Sequence, residues 1–214
     1  MKKLLLSLLI CFSVGCTYAL HAKANTNTKE TILIDAGHGG YDVGAISNTG
    51  EYEKDINLQI ALKLGKKLKE NGYQVFYTRT SDTVSWPSDN TQDLQARCDM
   101  AAKKKADYFI SIHLNSSEYE ANGYEIYCDF NNSATKKLSK NILKQLDTLN
   151  YSSNRGLQDT NETALYVVSH NKVPALLIEA GFITSDADMA YIQENTDALA
   201  NAIEKGIEKT LHSN

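Results

Sequence analysis

The chain has 214 residues, 42% hydrophobic and 22% charged, with a formal net charge of -4 at pH 7. This is ordinary globular composition with enough length for one sizeable core, which excludes a disordered or fibrous protein. Only 2 Pro, 12 Gly and 4 Cys exclude a collagen-like repeat and a disulfide scaffold, so the fold must stand on packing.

In chain order, Lys2 and Lys3 precede an apolar run from Leu4 to Gly15 and then small residues. That pattern reads as an export signal, because crossing a bilayer takes about 20 apolar residues and this run is shorter. Ala22-Lys23-Ala24 offers a cleavage site, giving a signal peptide over residues 1–24. Ser13-Val14-Gly15-Cys16 resembles a lipoprotein box with Ser where Leu is usual, which makes Cys16 a candidate lipid anchor. The expected location is outside the cytoplasmic membrane, secreted or associated with the cell wall. Cleavage removes three lysines and no acid, taking the formal charge from -4 to about -7. Such an acidic body argues against nucleic acid as a partner. Cys98 and Cys128 would remain, and export permits a disulfide between them.

Residues 25–30 form a polar linker, and residues 31–212 then alternate short apolar runs with helical periodicity. Thr31 to Asp35 reads as a strand buried on both faces. Glu53 to Glu70 carries Ile56, Ile60, Leu64 and Leu68 at helical spacing, closed by Gly72. Tyr73–Tyr77, Asp107–Leu114, Gly123–Cys128 and Ala175–Glu179 read as further strands. Residues 92–104, 134–149 and 197–211 read as helices. No internal repeat is visible. Strands apolar on both faces need helices on both sides, so the expected product is one three-layer α/β/α domain with a mostly parallel central sheet of about five to six strands.

Ionisable residues stand where apolar strands end. Ile34 runs into Asp35-Ala-Gly-His38, Ile112 into His113-Leu-Asn115, and Ile178 into Glu179, while Glu53 opens the helix returning from the first strand. In parallel sheets ligands gather beyond the carboxyl ends of the strands, so these side chains converge. Two imidazoles and two carboxylates suit a hydrolytic zinc site, with His38, Glu53 and His113 as ligands of one Zn2+ and Glu179 as the base. Taken singly, each has a structural reading. His113 could be a satisfied strand-end histidine, Glu53 a charge at a helix N-terminus, and Glu179 a salt-bridged acid. The glycines around His38 fit neither a dinucleotide fingerprint nor a P-loop. His21, His170 and His212 receive no role. Arg97 reads as structural, pairing Asp99 or Asp107, and Asn115 as a group that hydrogen-bonds substrate or orients its loop.

Four blocks carry a family resemblance: Ile34-Asp-Ala-Gly-His-Gly-Gly40, Glu53-Lys-Asp-Ile-Asn-Leu58, Ser111-Ile-His-Leu-Asn115 and Pro174-Ala-Leu-Leu-Ile-Glu-Ala-Gly-Phe182. In this order they resemble the zinc-dependent N-acetylmuramoyl-L-alanine amidases, bacterial cell-wall hydrolases, across essentially all of residues 31–212. Ala36 stands where the family usually has Pro, and Leu114 where it has a small residue; neither supplies a ligand. The resemblance implies His38, Glu53 and His113 as zinc ligands and Glu179 as catalytic glutamate. It implies cleavage of the amide between N-acetylmuramic acid and L-alanine in peptidoglycan. Asn154-Arg155-Gly156 resembles a family loop near the groove, with Arg155 placed to pair a stem-peptide carboxylate. Relatives that wait for an activator carry a long insertion with a plugging helix. Here only residues 116–173 separate the last two blocks, read as one strand, one helix and a loop, so no self-inhibition is expected. The expected enzyme is a monomer, with an accessory protein, an anchor or export alone setting its location. A zinc peptidase acting within the stem peptide and a non-catalytic wall-binding protein are the competing classes, separated by product analysis and by Glu179→Gln.

Overall fold

The computed structural model describes residues 29–212, so the signal sequence, the lipoprotein-like box at Cys16 and most of the linker lie outside the described residues. Six strands form a single sheet: β1 (Thr31–Ala36), β2 (Gln74–Tyr77), β3 (Tyr108–Asn115), β4 (Tyr124–Cys128), β5 (Asn154–Asp159) and β6 (Ala175–Phe182). Five helices flank it: α1 (Glu53–Glu70), α2 (Asn90–Lys104), α3 (Ser133–Asp147), α4 (Tyr166–Ser169) and α5 (Asp186–Leu211). The spatial order is β2-β1-β3-β6-β4-β5. The first four strands in that order are parallel; β4 runs antiparallel to β6, and β5 parallel to β4. The reversal brings the starts of β4 and β5 to the sheet edge where the parallel strands end.

Side-chain alternation sends β3 residues Ile110, Ile112 and Leu114 into a core shared with α1, α3 and α5. Phe109 joins a smaller core with α2 and α4 on the other face. Ile56, Ile60, Leu64 and Leu68 of α1 are buried in the larger core, and burial of side chains of this size contributes about 1.5–3 kcal/mol each. Cys98 lies in the smaller core and Cys128 in the larger, with the sheet between them; both are free thiols.

Several elements differ from the sequence reading. β5 is additional: its Asn-Arg-Gly-Leu-Gln-Asp sequence has one large apolar residue, as an edge strand permits. α4 also lies in the segment read as a loop. α5 begins at Asp186, capped by Ser185, and kinks at Asn195 (φ -123°), so only its second half carries the regular stripe visible in the sequence. The described end of the linker is tied down, with Lys29 paired to Glu208 at 2.7 Å and Glu30 to His212 at 3.0 Å. Arg97 pairs Asp35 at 2.9 Å and Asp93 at 2.5 Å. Its expected partners are engaged elsewhere: Asp99 accepts from Gln95, and Asp107 from the Thr31 amide. A helical i,i+4 relation places Asp93 against Arg97, and the long Arg97 stem then reaches Asp35 on β1.

Candidate metal and catalytic site

β1 delivers the chain into a turn in which His38 adopts a left-handed conformation, φ 61°. Its Nδ1 lies 2.7 Å from Asp42 Oδ2, leaving Nε2 3.0 Å from Glu53 Oε2. From the end of β3, His113 Nδ1 approaches the other oxygen, Glu53 Oε1, at 3.0 Å. Glu53 sits in the first turn of α1, and its carboxylate also accepts from the Ala45 amide at 3.0 Å, the Leu114 amide at 3.1 Å and Asn57 Nδ2 at 3.1 Å. Gly44 must be glycine here: its φ is 70°, and a Cβ would lie 2.6 Å from Glu53 Oε2 and 2.7 Å from His38 Cδ2.

The three expected ligands therefore meet, their donor atoms all within 4.8 Å of one another. The imidazoles stand edge to face with centroids 4.8 Å apart. A nitrogen-nitrogen-oxygen set with an acid behind one imidazole matches the preference of zinc for three protein ligands with an oriented outer shell. Burial raises the pKa of Glu53, but hydrogen bonds and charge from His113 and His38 overcome it, holding the carboxyl far below the usual range. Burial likewise pulls His38 down, yet Glu53 and Asp42 push it up to about 9.

Glu179 lies in register with His113 across the parallel β3–β6 pair. Its Oε2 is buried and lacks a hydrogen-bond partner. Burial first, then the charges of Glu53 and Glu125, raise its pKa well above the ordinary glutamate range. Glu125, which the sequence reading gave no role, is 3% exposed and sits opposite Glu179 on β4. Its partners include both expected substrate contacts: Asn115 Nδ2 at 2.8 Å and Arg155 Nε at 3.3 Å. Arg155 is half-exposed and lies 5.1 Å above the Phe182 ring. The signal for Glu125 was a lone acid inside an apolar strand, visible in Tyr-Glu-Ile-Tyr-Cys. His170 instead stacks on Tyr166, with centroids 4.2 Å apart.

A cavity of about 190 Å³ opens beside His38 and His113, walled by Leu94, Leu165, Tyr166 and Leu177 on the α2 and α4 side. A more polar cavity of about 320 Å³, lined by Asp129, Asn161 and Lys172, lies at the opposite sheet edge and shares none of these residues.

Residues 32–209 match the family described as N-acetylmuramoyl-L-alanine amidase. YqiI of Bacillus subtilis (strain 168) is 36% identical over 213 residues, 97% of this chain and 98% of its own. The N-acetylmuramoyl-L-alanine amidase LytC of the same organism is 35% identical over 205 residues, covering 90% of this chain but 39% of LytC. Among solved structures, an N-acetylmuramoyl-L-alanine amidase from Clostridium difficile 630 superposes with a TM-score of 0.77 at 34% identity, over 87% of this chain and 98% of that one. The CwlD amidase from Clostridioides difficile, solved in complex with the GerS lipoprotein, gives a TM-score of 0.78 at 31% identity, over 86% and 98%. Domain-wide sequence identity and a shared fold thus converge on one assignment: the chain is an enzyme of the N-acetylmuramoyl-L-alanine amidase family of cell-wall hydrolases.

Proposed function

We propose that this amidase hydrolyses the amide joining N-acetylmuramic acid to L-alanine in peptidoglycan, using one Zn2+ held by His38, Glu53 and His113 and Glu179 as general base and then acid. The observation that carries this reading is the meeting of those three ligands, from three separate segments, within 4.8 Å. Zinc bound there supplies a water that ionises near neutral pH and a Lewis acid for the scissile carbonyl. Asp42 fixes the His38 ring so that Nε2 faces the ligand cluster. Glu179, with its raised pKa and unpartnered oxygen, takes a proton from the attacking water and returns it to the departing alanine nitrogen. The carbon–nitrogen bond breaks, the water oxygen stays on the lactyl carbonyl carbon, and the second water proton also ends on the departing nitrogen, so a carboxylate and an ammonium group result.

Arg155 has no hydrogen bond at its terminal nitrogens among the described residues, which suits them to a stem-peptide carboxylate. Asn115 orients the adjoining loop, its Oδ1 accepting from the Ser116 amide at 2.8 Å. Among the described residues no helix is long and apolar enough to cross a membrane. Residues 1–24 act in this reading as the export signal, residues 25–30 as the linker and 31–212 as the catalytic domain. Cys16 provides the lipid-anchored alternative to free secretion or wall association. The domain works as a monomer without an activator, and a separate accessory protein localises it; the similar CwlD amidase was solved in complex with a second protein, the GerS lipoprotein. Metal analysis together with mass spectrometry of digested peptidoglycan tests the reading: stoichiometric zinc and new alanine amino termini are expected. Zinc-free protein, or cuts only within the stem peptide, would overturn it.

A further inference from the structure

Beyond β2 the chain passes through Thr78 into Arg79, which is 4% exposed. Its guanidinium makes no salt bridge among the described residues, and four of its five N–H groups donate to backbone carbonyls instead. Nε donates to Ala36 O at 3.0 Å, and Nη2 to both Gly37 O at 2.9 Å and Lys54 O at 2.7 Å. Nη1 donates to Ser81 O at 3.3 Å. Ala36 and Gly37 lead directly into His38, and Lys54 follows Glu53. One planar fork thus joins the loop that carries one ligand to the helical turn that carries another.

Burying a guanidinium with no carboxylate in direct contact is costly, even with carbonyl partners; Asp35, Asp82 and Asp55 act on it only through longer-range charge. A second cation bound nearby adds repulsion. Neutral donors could satisfy loop carbonyls without that cost, but only a rigid, multidentate donor fixes several carbonyls in one plane. Arg97 differs: it also reaches Ala36 O and His38 O, yet Asp35 and Asp93 neutralise it, and its loss would strand two buried acids.

We propose that Arg79 is a positioning residue for the metal centre, holding His38 and Glu53 at ligating separation before the metal arrives. This rests on the zinc reading above, and the test separates the two. Zinc affinity of the stripped full-length protein, Arg79→Lys and Arg79→Gln is measured by competition with a chromophoric chelator, with melting of each stripped protein followed in parallel. Both variants are expected to bind zinc about 10- to 100-fold more weakly, the loss typical of an outer-shell partner. Arg79→Ala should recover affinity when guanidinium ion is added. Unchanged zinc affinity in Arg79→Lys, with or without a lowered melting temperature, would overturn the proposal and leave Arg79 a purely structural residue. Should Arg79→Gln fail to fold, Arg79→Lys decides, because it keeps the charge and loses the fork. Wild-type protein that binds no zinc would instead overturn the metal reading.

Discussion

Glu125 on β4 lies directly opposite Glu179 on β6 in the antiparallel ladder, so two acids share one face of the sheet beside the ligand cluster. The pair is not symmetric. Glu125 accepts from Asn115, Tyr127, Gln158 and Arg155, whereas Glu179 keeps an oxygen with no partner. Where two carboxylates repel, the one with fewer donors retains its proton, which assigns the raised pKa to Glu179.

That asymmetry predicts a pH effect. A general base must be ionised, so the acid limb of kcat/KM follows Glu179. Glu125→Gln removes a like charge, lowers the Glu179 pKa and moves that limb to lower pH. Rate profiles of wild type and variant across the acid range check this; a limb that stays in place would assign it to another group.

Glu179→Gln should separate activity from stability. Losing the base costs about 10² or more in rate. Stability moves the other way, because a carboxyl with a raised folded-state pKa destabilises the fold once the unfolded chain can ionise. Wild-type stability is complete below the unfolded glutamate pKa and falls as pH rises toward the folded value. Metal-stripped Glu179→Gln should therefore melt above stripped wild type at neutral pH, with the gap closing on acidification below the ordinary glutamate range. A gap of constant size across pH would show that titration of Glu179 is not its source.

Zinc uptake should release protons. In the metal-free protein Glu53 and Asp42 hold His38 protonated up to about pH 9, whereas a ligand imidazole must be neutral. Zinc affinity should thus rise with pH through the neutral range and level off near that value. Calorimetry in buffers of differing ionisation enthalpy measures the released protons directly; buffer-independent heats at neutral pH would contradict the linkage.

Of the proposed ligands, His38 and His113 were legible because each stands just where an apolar strand run gives out, an arrangement a core alone does not require, and Glu53 because it opens the helix that returns from the first strand. The α1 boundaries were legible because Ile56, Ile60, Leu64 and Leu68 repeat regularly and an acid opens the first turn. β5 was not, because a polar edge strand is held by backbone pairing with β4 and lacks an alternating apolar face. Glu125 escaped notice because its role arises only when the antiparallel β4 turns it toward Glu179. Arg79 and the Asp35–Arg97–Asp93 group were hidden for a similar reason: their partners are backbone carbonyls or acids on separate elements, and such contacts leave no spacing in the sequence.

Gly37 gives the sharpest test of how tightly the site is built. It donates its amide to Ile112 O at 3.0 Å, which draws the His38 loop against β3. A Cβ on Gly37 would collide with the His113 ring, coming within 2.7 Å of Cδ2 and closer to Cε1 and Nε2. Its backbone angle does not demand glycine, so Gly37→Ala acts through this collision. The adjoining cavity, whose walls include His113 but not Glu53, gives the imidazole room to retreat. Zinc affinity and activity should therefore fall sharply while the circular dichroism of the stripped protein is unchanged. Gly50→Ala supplies the opposite control: nothing lies within 4 Å of a Cβ there, but φ is 96°. It should lower stability by about 1–2 kcal/mol through backbone strain and leave zinc affinity intact. Gly37→Ala with wild-type zinc affinity would mean that the His113 ring moves freely, and the preorganisation inferred for this centre would fail with it.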